Sequence, residues 1–134
     1  MVKAIDSVIE KKNPTRKYSR LRINSYVNFL GDDFEQLKTC AAEFGEKHDI
    51  QHVPLVVPAV FENGPERLKV HPDAEVTVVI YQLLPERIVK ANHAFAKDSL
   101  DAEAVAAVVS DIEKHGAALI KPKPPAEPDS DKSR

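Results

Sequence analysis

The chain has 134 residues, 43% hydrophobic and 30% charged, with a net charge of −2 at pH 7. That length suits one domain with tails, and that composition an ordinary globular chain. The near-neutral balance gives no bulk electrostatic footprint for nucleic acid, and no apolar run approaches the ~20 residues a bilayer requires.

The first residues, MVKAIDSVIEKKNP, lack an apolar core flanked by a small-residue cleavage site, so no signal peptide is expected. Val2, Ile5, Val8 and Ile9 recur at helical spacing, which predicts a short helix over residues 3–12. Asn13-Pro14 should stop it. Lys11, Lys12, Arg16, Lys17, Arg20 and Arg22 then form a basic run. The run holds no recognition motif and no aromatic beyond Tyr18, so a solvated leader over residues 1–21 is expected rather than a nucleic-acid patch.

Residues 22–30 (RINSYVNFL) read as the first strand, suited at its centre to an interior place in a sheet. Gly31 breaks it. Asp32 or Asp33 can cap the helix predicted over residues 34–48 and complement its positive end. In that helix Phe34, Leu37, Cys40, Ala41 and Phe44 share one arc. Residues 53–60 (VPLVVPAV) read as a short strand, which Pro54 and Pro58 push toward a strand end or sheet edge. It should run parallel to the first strand, with the helix as crossover. Residues 61–74 read as a connector with a turn at Asn63-Gly64-Pro65.

Residues 76–81 form a β-branched run and residues 87–95 a second strand, joined by a turn containing Pro85. Leu100, Ala104, Val105, Val108, Val109 and Ile112 make the apolar stripe of a last helix, with Glu103, Ser110, Asp111, Glu113 and Lys114 toward water. Asp101 is its expected N-cap, and Gly116 fits a left-handed position after its end. From Lys121 the chain is rich in proline and charge, so residues 121–134 are expected to be disordered.

The order β-α-β-connector-β-β-α resembles the thioredoxin-like superfamily, a mixed four-stranded sheet flanked by helices, over residues 22–120. The residues carrying the likeness are Tyr26-Val27-Asn28-Phe29-Leu30-Gly31-Asp32-Asp33, then Thr77-Val78-Val79-Ile80-Tyr81, then Lys90-Ala91-Asn92-His93-Ala94-Phe95. The last two stretches also resemble a group of bacterial redoxin-like domains. The resemblance puts the two cysteines of the family's CxxC motif onto Phe34 and Leu37, and its cis-proline onto Val76. A thiolate nucleophile and a resolving thiol are therefore both missing. With no dithiol there is no use for a strained bond, so Val76 is expected to be extended after a trans peptide, with the Phe34 ring or a neighbour of similar size filling the vacated site rather than leaving a polar cleft.

Cys40, the single cysteine, excludes an intrachain disulfide, and a reducing cytoplasm is the expected compartment. Its place on the apolar arc predicts a buried, inert thiol. His48 and His52 lose their four-residue metal spacing if the helix ends near His48. His71 and His93 would form a metal or enzyme site only if the fold brings them together. Asp32 and Asp33 are read as caps rather than as an acid–base pair. No cofactor is expected. The function expected is a redox-inactive binding or scaffold module. Its partner would be a protein meeting Asp32, Asp33, Phe34, Glu75 and Val76, because loops converge there on the end of the sheet. The alternatives are a single-thiol redox protein using Cys40 and a metal or enzyme site using His71 and His93.

Overall fold

The structure, a computed structural model, describes residues 1–15, 22–58, 70–71, 73–83 and 87–117. The expectations for residues 121–134, for the Asn63-Gly64-Pro65 turn and for Pro85 lie outside them. The elements are α1 (Val2–Lys12), a 3-10 turn (Asn13–Thr15), β1 (Val27–Asn28), α2 (Phe34–Lys47), β2 (Leu55–Val56), β3 (Val76–Gln82), β4 (Ile88–Phe95) and α3 (Ala102–Ala117). Among the described residues, no helix is long and apolar enough to cross a membrane.

The stripe on α1 becomes core. Ile5, Val8 and Ile9 are buried with Val53 and with Val108 and Ile112 of α3, and Val108 has no exposed surface. The domain boundary expected at Arg22 is therefore corrected. Apolar residues at i, i+3 and i+4 cannot stay in water when α3 offers a matching stripe, so α1 belongs to the folded unit. Lys11 and Lys12 lie in its last turn, where cations complement the helix dipole. Beyond it the Asn13 amide donates to the Ile23 carbonyl and accepts from the Ile23 N–H, both at 3.0 Å.

Asp33 caps α2 as expected, its Oδ1 accepting from the Gln36 N–H at 2.9 Å. The helix ends at Lys47, and Asp49 then takes a left-handed conformation (φ 47°). His48 and His52 therefore share no helix. Gly45 lets α2 approach β2, since a Cβ there would stand 3.1 Å from Leu55 Cδ1. The Phe44 ring meets Phe29 edge-on at 5.8 Å.

β1 and β2 pair in parallel, Val27 opposite Leu55 and Asn28 opposite Val56. The ladder is short for a reason visible in the sequence. Pro54 and Pro58 flank β2 and neither can donate, so Pro54 only accepts, from the Val27 N–H at 2.9 Å. β3 and β4 pair antiparallel from Val76 opposite Phe95 to Gln82 opposite Ile88. A bulge between Ile80 and Tyr81 leaves Lys90 as the extra residue on β4. Along β4, Ala91, His93 and Phe95 are half-buried while Asn92 and Ala94 are exposed, the alternation of a strand with one covered face.

The protein is thus a mixed α/β fold, but the described strands make two two-stranded sheets rather than one of four. β1 and β3 are not hydrogen-bonded neighbours, and of the nine residues predicted for the first strand only Val27–Asn28 form one.

Asp101 caps α3, its Oδ1 accepting from the Ala104 N–H at 2.8 Å. Two expectations for α3 are corrected. The helix continues to Ala117, so Gly116 lies inside it and is buried. Asp111 does not simply face water, because its Oδ2 lies 2.9 Å from His93 Nε2. The stripe is broad enough that its flank reaches β4.

Candidate binding cleft between β1 and β3

Where a four-stranded sheet would join, the two strand pairs leave a cleft. Two cavities of about 550 and about 570 Å³ line it, each walled by the β1 segment on one side and β3 on the other. Only the first reaches Leu30 and Val76, and only the second reaches Arg22 and Arg87. β1 and β3 therefore run in opposite senses along it. Ile5 of α1 lines both cavities, Leu37 and Phe44 of α2 the first, and Ile112 of α3 the second.

Among the described residues, the backbone of β1 is bonded to β2 and not to β3. The N–H groups of Val27 and Phe29 reach across to the carbonyls of Pro54 and Val56. Strand alternation sends those of Tyr26 and Asn28 the opposite way, toward β3. β3 in turn pairs with β4 on its far side.

Charge is divided along the cleft. Among the described residues Glu75 is the charged side chain lining the first cavity, whereas Arg22, Arg87 and Lys90 line the second. Tyr26 and Tyr81 line both cavities. Burial raises the Tyr81 pKa, and the neighbouring Tyr26 hydroxyl adds to the rise while Arg87 opposes it. Nothing in the spacing of Tyr26, Tyr81 and Arg87 along the chain announces this meeting, which is made by the antiparallel course of β1 and β3.

The predicted partner surface is assembled in part. Glu75 and Val76 line the first cavity with Leu30, the residue before Gly31-Asp32-Asp33. Asp32, Asp33 and Phe34 are exposed, Phe34 at 41%. The expectation that the Phe34 ring fills the site is corrected. The ring lies outward, 5.0 Å from the Lys38 ammonium, where a cation–π contact competes with burial. Of the two positions matched to the family's cysteines, Leu37 lines the cavity and Phe34 does not.

Cys40 is exposed, not buried as the helical arc implied. The buried face of α2 is centred on Leu37, Ala41 and Phe44, and Cys40 lies about 70° from that centre at 100° per residue. The histidines serve separate neighbours. His71 Nδ1 accepts from the Asp73 N–H at 3.2 Å, whereas His93 pairs with Asp111 and stacks on Phe95 with ring centroids 6.0 Å apart. Among the described residues, no three His, Cys, Asp or Glu side chains gather as a metal site.

One buried carboxylate escaped the sequence reading. Asp6 is 1% exposed, and its Oδ1 accepts from the N–H groups of Gln51 and His52 at 3.1 and 2.6 Å. Lys3 stands 3.4 Å from its other oxygen and also donates to the Asp49 carbonyl. Burial pushes the Asp6 pKa up, but the two backbone donors and Lys3 together hold it below the usual carboxylate value. Its role is structural: it ties α1 to the loop between α2 and β2. Comparison with protein-family models, curated proteins and solved structures finds no match to this chain.

Proposed function

We propose that the chain is a redox-inactive, thioredoxin-like binding module that engages a protein partner in the cytoplasm. The observation that carries this reading is the cleft itself. Two adjoining, mostly apolar cavities lie between β1 and β3, with Glu75 at one end and Arg22, Arg87 and Lys90 at the other. The element order supports the fold assignment. A parallel β1–β2 pair is connected through α2, and an antiparallel β3–β4 pair is followed by α3. The inferred sheet order is β2-β1-β3-β4, open at its centre. Phe34 and Leu37, standing where a dithiol would be needed, support the absence of disulfide chemistry.

The partner surface consists of Asp32, Asp33, Phe34, Glu75 and Val76 at the acidic end of the cleft. Its test compares the wild-type chain with Phe34→Asp as bait for proteins of the parent cell. Partners should be held by the wild type and reduced about tenfold by the variant. Equal capture by both, or reduction of insulin disulfides by the purified chain, overturns the reading.

A second reading has one observation in its favour. The exposure of Cys40 keeps single-thiol chemistry open to a small disulfide such as oxidised glutathione. Native labelling of Cys40 by a thiol reagent should proceed at nearly the rate in denaturant. Formation of a stable mixed disulfide with glutathione at cytoplasmic ratios would favour this second reading.

A further inference from the structure

We infer that the cleft between β1 and β3 receives an extended peptide as an added strand, with acidic residues of that peptide held by Arg22, Arg87 and Lys90. The inference rests on the binding-module reading and names the kind of partner and its place.

Three features converge on this occupant. The first is hydrogen bonding. Both walls present strand edges, and an edge left without a ladder is a template for another strand. β1 offers the groups of Tyr26 and Asn28, and the edge of β3 away from β4 faces them across the cavities. A peptide lying between can bond to both, the strand-addition mode of recognition. An amphiphilic carboxylate such as a fatty acid would match the basic end but set an alkyl chain against two rows of peptide groups, which costs free energy.

The second feature is charge. The wall of the basic cavity includes Arg22, Arg87, Lys90 and His115, and among the described residues none that line it is acidic. Lys90 is the extra residue of the β4 bulge, a device that re-aims a side chain at a sheet margin. A guanidinium pair and an ammonium at the end of an apolar slot fit a carboxylate-bearing end of a peptide. At the other end Glu75 would repel it, so the charges also fix the direction of entry.

The third is size. Leaving out Gln82, the β3 residues 76–81 rise about 3.3 Å each, giving an edge of about 20 Å. An occupant of about six residues spans it. Val76, Val79, Phe29 and Leu30 line the slot, so apolar side chains at alternate positions of the peptide would be covered.

The test selects a phage-displayed library of random decapeptides on the full chain and synthesises the enriched sequences. Enriched peptides should alternate apolar residues, carry Asp or Glu at one end and avoid proline. Fluorescence anisotropy should show binding weakened about tenfold by Arg22→Glu or by Arg87→Glu. Both side chains are exposed, so the variants should keep the wild-type circular dichroism. A charge-reversed peptide with Lys at that end should regain affinity for the Arg22→Glu/Arg87→Glu double variant. Bound peptide should slow hydrogen exchange of the Asn28 amide.

Several results would overturn the inference. One is no enrichment over the empty support. Another is enrichment indifferent to both arginine variants. A third is binding of laurate, but of no peptide, in the same cavity. Strong protection of the Asn28 amide in the free chain would mean that β1 and β3 are already paired and no slot exists. If peptides bind through Phe34 with Asn28 untouched, the slot is wrong and the binding module stands. Insulin reduction by the chain would instead remove the module reading itself.

Discussion

Asp6 shows how one side chain joins parts of the chain 45 residues apart. Its Oδ1 accepts from two successive backbone N–H groups, so no water is needed to satisfy them. Asp6→Ala would remove the acceptor that both donors share, together with the Lys3 pair, and should cost about 1–2 kcal/mol in chemical denaturation. Asp6→Asn keeps an oxygen for both donors and loses only the Lys3 pair, so its cost should be no more than about half as large. Equal losses would mean that the ion pair, not the backbone bonds, matters. Thr77 presents the opposite case. Its hydroxyl is buried and, among the described residues, has no hydrogen-bond partner. Thr77→Val removes that unpaired group at nearly constant shape and should stabilise the fold by about 1 kcal/mol. Destabilisation on the same scale would show that the hydroxyl is bonded in solution.

At the scale of elements, α1 is the surprise. Its charged residues suggested a solvated leader, yet Ile5, Val8 and Ile9 are half of the buried apolar cluster. Ile9→Asp would place a carboxylate against Val108 and Ile112. It should cost at least about 3 kcal/mol, enough to abolish cooperative unfolding in a chain with so small a core. The control is Glu10→Asp, on the exposed side of the same helix, which should change the midpoint little. If Ile9→Asp melts like the wild type, α1 does not pack on α3. α2 behaves differently, since Ala41 is its one buried residue. It holds its place through the Asp33 cap, the Phe44–Phe29 contact and the close approach at Gly45.

For the whole molecule, acid is the informative variable. The Asp6 carboxyl is depressed in the folded state, so its contribution is complete above the unfolded value of about 3.9. That contribution is lost as pH falls through the folded value. Asp49 is depressed in the same direction, by the Gln51 side-chain bond first and then by Lys3. The denaturation midpoint of the wild type should therefore fall between about pH 4 and pH 2. In Asp6→Asn the fall should be shallower. A midpoint that is flat below pH 4 would show that these carboxylates are no more acidic folded than unfolded.

What the sequence determined by itself is local. Asp33 and Asp101 were legible as caps, because an aspartate before an apolar-periodic run is set by short-range hydrogen bonds. The β3 and β4 runs were legible from β-branched residues, and the parallel β1–β2 pair from the helix between them. Where local signals conflict with packing, packing decided. Cys40 lies at the margin of the α2 arc, and only the position of β1 and β2 settles which side of that margin is covered. Gly116 could have ended α3, but burial there lets the helix run on to Ala117. The cleft is wholly tertiary. Its walls are strands about fifty residues apart in the chain, and its basic end joins Arg22 to Arg87 and Lys90. Hydrogen-bond caps and side-chain periodicity act over one to four residues. The spacing between two strand edges depends on how every helix packs around them, which no stretch of sequence encodes alone.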